Sequence, residues 1–353
     1  MINTIAQKSK EPSLRVCTLT KAEEIRWDEF VEAHPEATFF HLAGWREVLE
    51  QVYQHKTYYF YAEEDGKIIG ILPLGRVRSR LFGDALISTP FCVYGGAVGS
   101  EKACQALEAA AGRLAWHLGV DYLELRNLQP RYPNWPRSDL YVTFRKPIDP
   151  DPEKNLGAIP RKQRAIVRKG IESGLVSVID TDNIERFFRM YSESVRNLGT
   201  PVFPKYYFKV LKKVFGDRCE VLTILHNERP VSSVMSFYFR DEVLPYYGGG
   251  IASARDFKAN DFMYWELMRR ASERGIQMFD YGRSKLNTGS YRFKTHWGFE
   301  PKPLHYEYKL IKANKIPEKN PLNPRYRFFV KAWQRLPIPL TWLIGPRIAR
   351  NLG

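Results

Sequence analysis

The stretch RCEVLTILHNERPVSSVMSFYFRDEVLPYYGGG, residues 218–250, decides the fold. It reads as a three-strand meander: two apolar runs meet at Asn227-Glu228, and a third follows the turn at Asp241-Glu242. Upstream of it, residues 181–197 and 204–215 read as helices. Downstream, Tyr264, Leu267, Met268 and Ala271 share one helical face, Gly275 stops that helix, and QMFDYG (277–282) reads as a further strand.

The first half repeats this plan. A strand-like run from Leu14 to Leu19 precedes helices over 21–33 and 42–54. In TYYFYAEEDGKIIGILPLGRV (57–77), Asp65-Gly66 separates two apolar runs, a hairpin signal because a type I′ turn needs positive φ at both central residues. A further strand leads into FCVYGGAVGS (91–100), a helix carries Ala103, Leu107, Ala111, Leu114 and Leu118 at helical spacing, and DYLELRN (121–127) is the next strand. Tyr94-Gly95-Gly96 and Tyr247-Gly248-Gly249 mark the same point in the two halves. Such repetition predicts two similar α/β units. Pro147, Pro150 and Pro152 place the boundary in PIDPDPEKN (147–155). The expected division is 1–150, then 151–310 closed by the strand LHYEYKL (304–310), then a tail over 311–353.

Composition narrows the class. A chain of 353 residues with 44% hydrophobic and 26% charged residues is folded, not disordered. Its 54 Lys and Arg against 39 Asp and Glu give a net charge of +15, which calls for an anionic partner: nucleic acid, anionic membrane or phosphorylated substrate. Cys17, Cys92, Cys104 and Cys219 are scattered, against a zinc site or a disulfide framework, and a reducing compartment follows. No signal-peptide core and no membrane-spanning apolar run is present, so a cytoplasmic protein is expected. Walker A, GxGxxG, GxSxG and HExxH motifs are all missing, and the histidines show no ligand spacing. No metal is expected, which leaves chemistry by positioning and electrostatics.

Four segments could carry that chemistry. PRKQRAIVRKGIESG (160–174) places Arg161, Arg164 and Arg168 on one helical face with Lys162 and Lys169 beside it and no acid over 161–171. It is either a solvated basic helix or a clamp for phosphate. DYGRSKLNTGSYRFKTHWGFEPKPLHYEY (280–308) puts Asp280 and Tyr281 at a strand end, then Arg283, Ser284 and Lys285 in a turn, then Lys294 among Tyr291, Phe293, Trp297 and Phe299. Beyond a strand's carboxyl end such a lysine can hold a phosphate or steady an oxyanion, although aromatic-flanked lysines commonly snorkel. Tyr247, Gly248 and Gly249 offer backbone amides to a carbonyl or phosphate, or mark close backbone approach. NLGTPVFPKYY (197–207) reads as a plain inter-helix loop.

The tail holds nine Lys and Arg against Glu318 alone. Tyr326, Phe329, Val330 and Trp333 recur at helical spacing opposite Arg327, Lys331 and Arg335. That stripe either lies in a membrane interface or docks on the protein's own core.

The tandem plan, the basic helix and the pattern RSKxxTGxYxFKxxWGFEPxPL over residues 283–304 resemble the FemAB-like branch of the GNAT superfamily, over about residues 14–310. The likeness is strongest to FemAB-like proteins of PEP-CTERM/exosortase and exopolysaccharide loci, which share the basic Pro-rich tail. It implies two tandem GNAT-like domains with mixed, mainly antiparallel sheets. It further implies acyl or aminoacyl transfer to an amine of a lipid-linked or nucleotide-linked cell-envelope precursor, by a cytoplasmic protein peripheral to the inner membrane. Lys294 would stabilise the tetrahedral intermediate or leaving oxygen, with Asp280 and Tyr281 lining the cleft and the basic helix near the acceptor's phosphates.

The donor stays open. GNAT enzymes that bind acyl-CoA carry an Arg/Gln-x-x-Gly-x-Gly/Ala turn at a helix N-terminus. Here Arg255-Asp256-Phe257-Lys258-Ala259-Asn260 replaces both small residues, which weakens CoA and favours aminoacyl-tRNA, whose polyanion also suits the positive charge. Neither donor is a tightly bound cofactor. Acyl-CoA-dependent N-acylation of a sugar is the alternative, and a non-catalytic scaffold on membrane or nucleic acid a third reading.

Overall fold

The computed structural model describes residues 14–79, 83–317 and 324–351. The first half runs β1 (Arg15–Thr18), α1 (Glu24–Ala33), α2 (Gly44–Tyr53), β2 (Lys56–Glu64), β3 (Lys67–Ser79), β4 (Gly83–Ser88), α3 (Glu101–Leu118) and β5 (Tyr122–Asn127). Then come β6 (Tyr141–Pro147), a short helix over Pro152–Ala158 and α4 (Arg161–Glu172). The second half runs β7 (Leu175–Ile179), α5 (Ile184–Asn197), α6 (Lys205–Phe215), β8 (Cys219–His226), β9 (Arg229–Phe239), β10 (Glu242–Gly250), α7 (Ala259–Glu273) and β11 (Met278–Asp280). It continues with α8 (Gly289–His296) and β12 (His305–Leu310), and the tail forms α9 (Pro324–Gln334) and α10 (Ile338–Ala349). Both hairpins turn as their residues dictate: Asp65 and Gly66 have φ of 49° and 76°, Asn227 and Glu228 of 49° and 62°.

The strands form two eight-stranded mixed sheets on one plan. In the first, β4 runs parallel to β5 through Ala85–Ile87 and Tyr122–Glu124. In the second, β10 runs parallel to β11 through Glu242 and Val243. The remaining pairings are antiparallel, so the expected mixed, mainly antiparallel tandem α/β architecture is present.

The closing strands are exchanged. LHYEYKL does not close the second half: β12 lies antiparallel to β5 of the first sheet, with Tyr306 opposite Arg126. Reciprocally, β6 from the first half lies antiparallel to β11, with Asp280 opposite Arg145. Each half therefore supplies the strand beside the other's parallel pair. The division at residue 150 follows the chain but not the sheets.

A core spanning both halves locks the exchange. Phe39, from the segment before α2, stacks on Phe237 of β9 at 4.5 Å and meets Phe215 of α6 at 4.6 Å. Rings of this size bury large apolar areas, and offset pairs contribute about 0.5–1.5 kcal/mol beyond that burial. A second core lies between α7 and the second sheet, around Phe144, Trp265 and Phe279.

The two Tyr-Gly-Gly landmarks serve packing. In the first half the triplet lies in the loop after β4, not in a strand, and the Gly95 and Gly96 amides both donate to the Arg126 carbonyl. In the second, Gly248 and Gly249 sit within the β9–β10 ladder. A Cβ on Gly249 would stand 2.2 Å from Ser194 Cβ, so glycine lets α5 approach the sheet.

The expected tail stripe is split. Trp333 is buried and Val330 packs on Gly199, whereas Phe329 faces out beside Phe328. The side chains of Tyr326 and Arg327 lie outside the described residues.

Candidate functional site

Sequence places 280–294 just beyond β11, and the exchanged strands wall it in. The two strands meet where Leu304 N donates to the Tyr141 carbonyl at 3.1 Å, with the Tyr141 and Tyr306 rings 5.0 Å apart. Arg283 lies across that meeting point. Its guanidinium stands 4.8 Å from the Tyr141 ring centroid and donates from Nη1 to Tyr306 Oη at 3.0 Å. Tyr306 in turn donates to the Val93 carbonyl at 2.7 Å. Lys285 shares the Tyr141 ring, its Nζ 5.7 Å from the centroid.

The two guanidiniums at this point differ in their pairing. Arg126, also over Tyr306, is paired with Glu124 at 2.8 Å. Arg283 has no acidic partner within 4.0 Å among the described residues. A guanidinium in an aromatic frame without a carboxylate is costly alone and suits a bidentate anion. Ser284 is buried beside it, and its hydroxyl has no hydrogen-bond partner among the described residues.

Lys294 projects from α8 into the same corner but not into open space. Its Nζ donates to the carbonyls of Tyr281 at 2.7 Å, Gly282 at 3.0 Å and Arg283 at 3.1 Å. All three protons of an ammonium are thus used. The expectation that Lys294 reaches a reacting oxygen is not met in this arrangement; the side chain instead fixes the backbone that carries Arg283. Burial pushes its pKa down to about 7, with Asp280 opposing and Arg283 reinforcing the shift.

Asp280 and Tyr281 do not line a cleft. Asp280 is buried, accepting from Gly282 N at 2.7 Å and from Tyr94 Oη at 3.1 Å, with Arg145 Nε at 3.4 Å. Burial raises its pKa, against Arg145. It stitches β11 to the first half. Tyr281 sits in the second core against Tyr264 and Phe299, its hydroxyl without a hydrogen-bond partner among the described residues. Trp297 is fully buried and donates to Asp261 Oδ1 at 3.4 Å, while Tyr291 packs edge-on to Phe144. Tyr247 is buried and shares a 2.7 Å hydrogen bond with Tyr207. Aromatic type marked these positions without telling cleft from core.

The basic helix abuts this region. Gln163 of α4 and Trp297 both donate to Asp261 in the first turn of α7, and Gly298 faces Pro160. Arg164 donates to the Gly157 carbonyl at 2.6 Å. Arg161, Lys162, Arg168 and Lys169 are exposed and, among the described residues, have no acidic partner, so the basic face is open.

The loop before α7 keeps a glycine-like turn without glycine: Lys258 has φ of 57°, and its Nζ folds back to the Arg255 carbonyl at 3.0 Å. Asp261 adds a carboxylate to the helix end that would otherwise attract pyrophosphate. Sequence reasoning missed Asp261, Arg145 and the frame residues Tyr141 and Tyr306, because their roles arise from pairing between distant segments. Among the described residues no group of acidic, His or Cys side chains could hold a metal ion, and no helix is long and apolar enough to cross a membrane.

Residues 158–295 match the family described as Acetyltransferase (GNAT) domain, a segment that leaves out both exchanged strands. The fold is that of tandem GNAT proteins. The crystal structure of FemX superposes with a TM-score of 0.64 at 14% identity, covering 83% of this chain and 97% of that one. A tandem GNAT protein from the clavulanic acid biosynthesis pathway gives 0.52 at 12% identity, covering 86% of this chain and 100% of that one. A C-terminal domain assigned to a lysylphosphatidylglycerol synthetase from Agrobacterium fabrum gives 0.55 at 13%, covering 82% and 92%. No curated protein matches the chain in sequence.

Proposed function

We propose that this protein is an acyltransferase that moves an aminoacyl or acyl group onto an amine of an anionic, lipid-linked or nucleotide-linked cell-envelope or exopolysaccharide precursor. The match of residues 158–295 to a family of acetyltransferases supports group transfer. The observation that carries the substrate class is Arg283, a guanidinium framed by Tyr141 and Tyr306 and, among the described residues, without a carboxylate partner, beside Lys285. An anionic group of the acceptor supplies the missing counter-charge, and Lys294 holds the carbonyl backbone that aims Arg283. In the reaction the amine attacks the donor carbonyl, an amide bond forms, the bond to the leaving oxygen or sulfur breaks, and the proton shed by the amine ends on the leaving group.

Two donors are compatible with group transfer. Asp261 and Lys258 at the start of α7 disfavour a pyrophosphate there, and the open basic face of α4 suits a polyanion, which supports aminoacyl-tRNA. The GNAT match favours acyl-CoA as donor, and the acceptor in that alternative is a sugar amine. An exopolysaccharide setting of the PEP-CTERM/exosortase kind rests on the sequence resemblance. Mass spectrometry of envelope precursors from cells with and without the protein names the transferred group. Incubating purified protein and precursor with charged tRNA or with acyl-CoA separates the donors; consumption of neither donor overturns the proposal in favour of a scaffold.

A further inference from the structure

The tail is held in place, yet it keeps a second apolar face in solvent. On α10, Thr341, Gly345 and Ala349 are buried, and Trp342 packs on Phe188 of α5 at 5.6 Å. The Arg350 carbonyl meets His55 Nε2 at 3.1 Å. On α9, Trp333 is buried, and Gln334 Nε2 donates to the Asn197 carbonyl at 3.0 Å. Arg196 returns a bond to the Gln334 carbonyl at 3.1 Å. These contacts are enough to seat both helices on α5.

The outward faces are unlike an ordinary solvated surface. Phe328 and Phe329 are 75% and 68% exposed, with rings 6.0 Å apart, and Leu343 is 62% exposed with Leu340 one turn away. Leu198, next to the Gly199 that Val330 packs on, is 66% exposed. Lys331 and Arg347 on the same two helices are exposed, as are Arg335 and Arg350 just past their C-terminal ends, and the tail from 311 carries nine basic residues against one acid. An exposed aromatic pair on one helix and an exposed leucine pair on the next mark an interaction surface.

We propose that the outward faces of α9 and α10 form a preformed binding surface for an anionic lipid bilayer, with Phe328, Phe329, Leu340 and Leu343 entering the headgroup boundary and the flanking cations meeting lipid phosphates. Charge selects this occupant. A second copy would bring one strongly basic face against another, and a nucleic acid would use the cations and the phenylalanines but leave the leucines in water. An anionic leaflet uses all three. Neither helix is long and apolar enough to cross the bilayer, so the protein lies on it. The surface is independent of the transfer reaction.

Co-sedimentation of the full chain with phosphatidylcholine vesicles, with and without phosphatidylglycerol, tests the inference. Binding is expected only with the anionic lipid and is expected to weaken at high salt. The triple variant F328S/F329S/L343S, with unchanged thermal melting because all three side chains are exposed, is expected to bind roughly tenfold or more weakly. K331Q/R335Q is expected to lower binding and flatten its salt dependence. Equal binding by the triple variant and the native chain overturns the proposal. So does capture of tRNA or a duplex oligonucleotide without capture of vesicles, or a self-association that the triple variant abolishes while vesicle binding is absent.

Discussion

The Tyr94 hydroxyl, on the loop after β4, donates to Asp280 Oδ2 at 3.1 Å and so joins the first half to the end of β11. The same hydroxyl lies 2.5 Å from Thr143 Oγ1 on β6. Replacing Tyr94 by Phe keeps the ring and leaves a buried carboxylate short of a donor. The expected cost is about 1–3 kcal/mol, read as a shift in urea midpoint at constant slope.

Lys294 is charged below pH 7 and neutral above it, because burial pulls its pKa down to about 7. Binding of an anionic substrate in the Arg283 corner is therefore expected to weaken as pH rises through 7. In Lys294→Arg, whose guanidinium stays charged, that limb should disappear. Lys294→Met should raise KM more than it lowers kcat, as expected of a positioning residue. A pH profile of Lys294→Arg identical to the native one would refute the assignment.

Arg283→Met removes the guanidinium without an acid to strand. Folding stability is expected to hold or rise slightly, while transfer to the anionic acceptor falls at least tenfold, a loss of about 1.4 kcal/mol of transition-state binding. Thermal melting and steady-state kinetics on the same sample separate the two effects.

His41 is buried, with Nε2 3.0 Å from the Gly96 carbonyl and Nδ1 accepting from Thr38 N, and burial pushes its pKa down to about 4. Between pH 6.5 and 4 the unfolded chain binds a proton there that the folded chain does not. Stability from His41 is thus present above pH 6.5 and lost as pH falls toward 4, by about 3 kcal/mol at most. Asp28 and Glu242, raised by burial to about 6 and 7, titrate in the opposite sense. Comparing native protein with His41→Gln isolates the histidine: the variant's stability should fall less on acidification.

Gly249→Ala is expected to cost about 1–3 kcal/mol through overpacking on Ser194, and the double change with Ser194→Gly should recover most of it. Denaturant midpoints of the two single variants and the double variant complete the cycle.

The repeated plan was legible because its signals are local: hairpin residues at Asp65-Gly66 and Asn227-Glu228, and helical spacing before DYLELRN and QMFDYG. The exchange of β6 and β12 was not. Both sheets offer the same parallel pair beside an open edge, and nothing in the alternation of Tyr141–Pro147 or His305–Leu310 distinguishes β5 from β11 as a neighbour. The segment 283–285 was found by its residue types, but the frame around Arg283 depends on tyrosines brought from the exchanged strands. Asp280, Tyr281 and Trp297 were misplaced because a strand-end carboxylate and its aromatic neighbours serve equally well as seam and core.

Reciprocal strand exchange also sets an order of events on the ribosome. The open side of β5 has no neighbour until residue 310 has been made, nearly two hundred residues after its own synthesis, so the N-terminal sheet is the last to be completed. A nascent chain halted between the two closing strands presents an unpaired edge, the kind that templates aggregation. Emergence of His305–Leu310, rather than completion of either half, is the step that makes the first sheet whole.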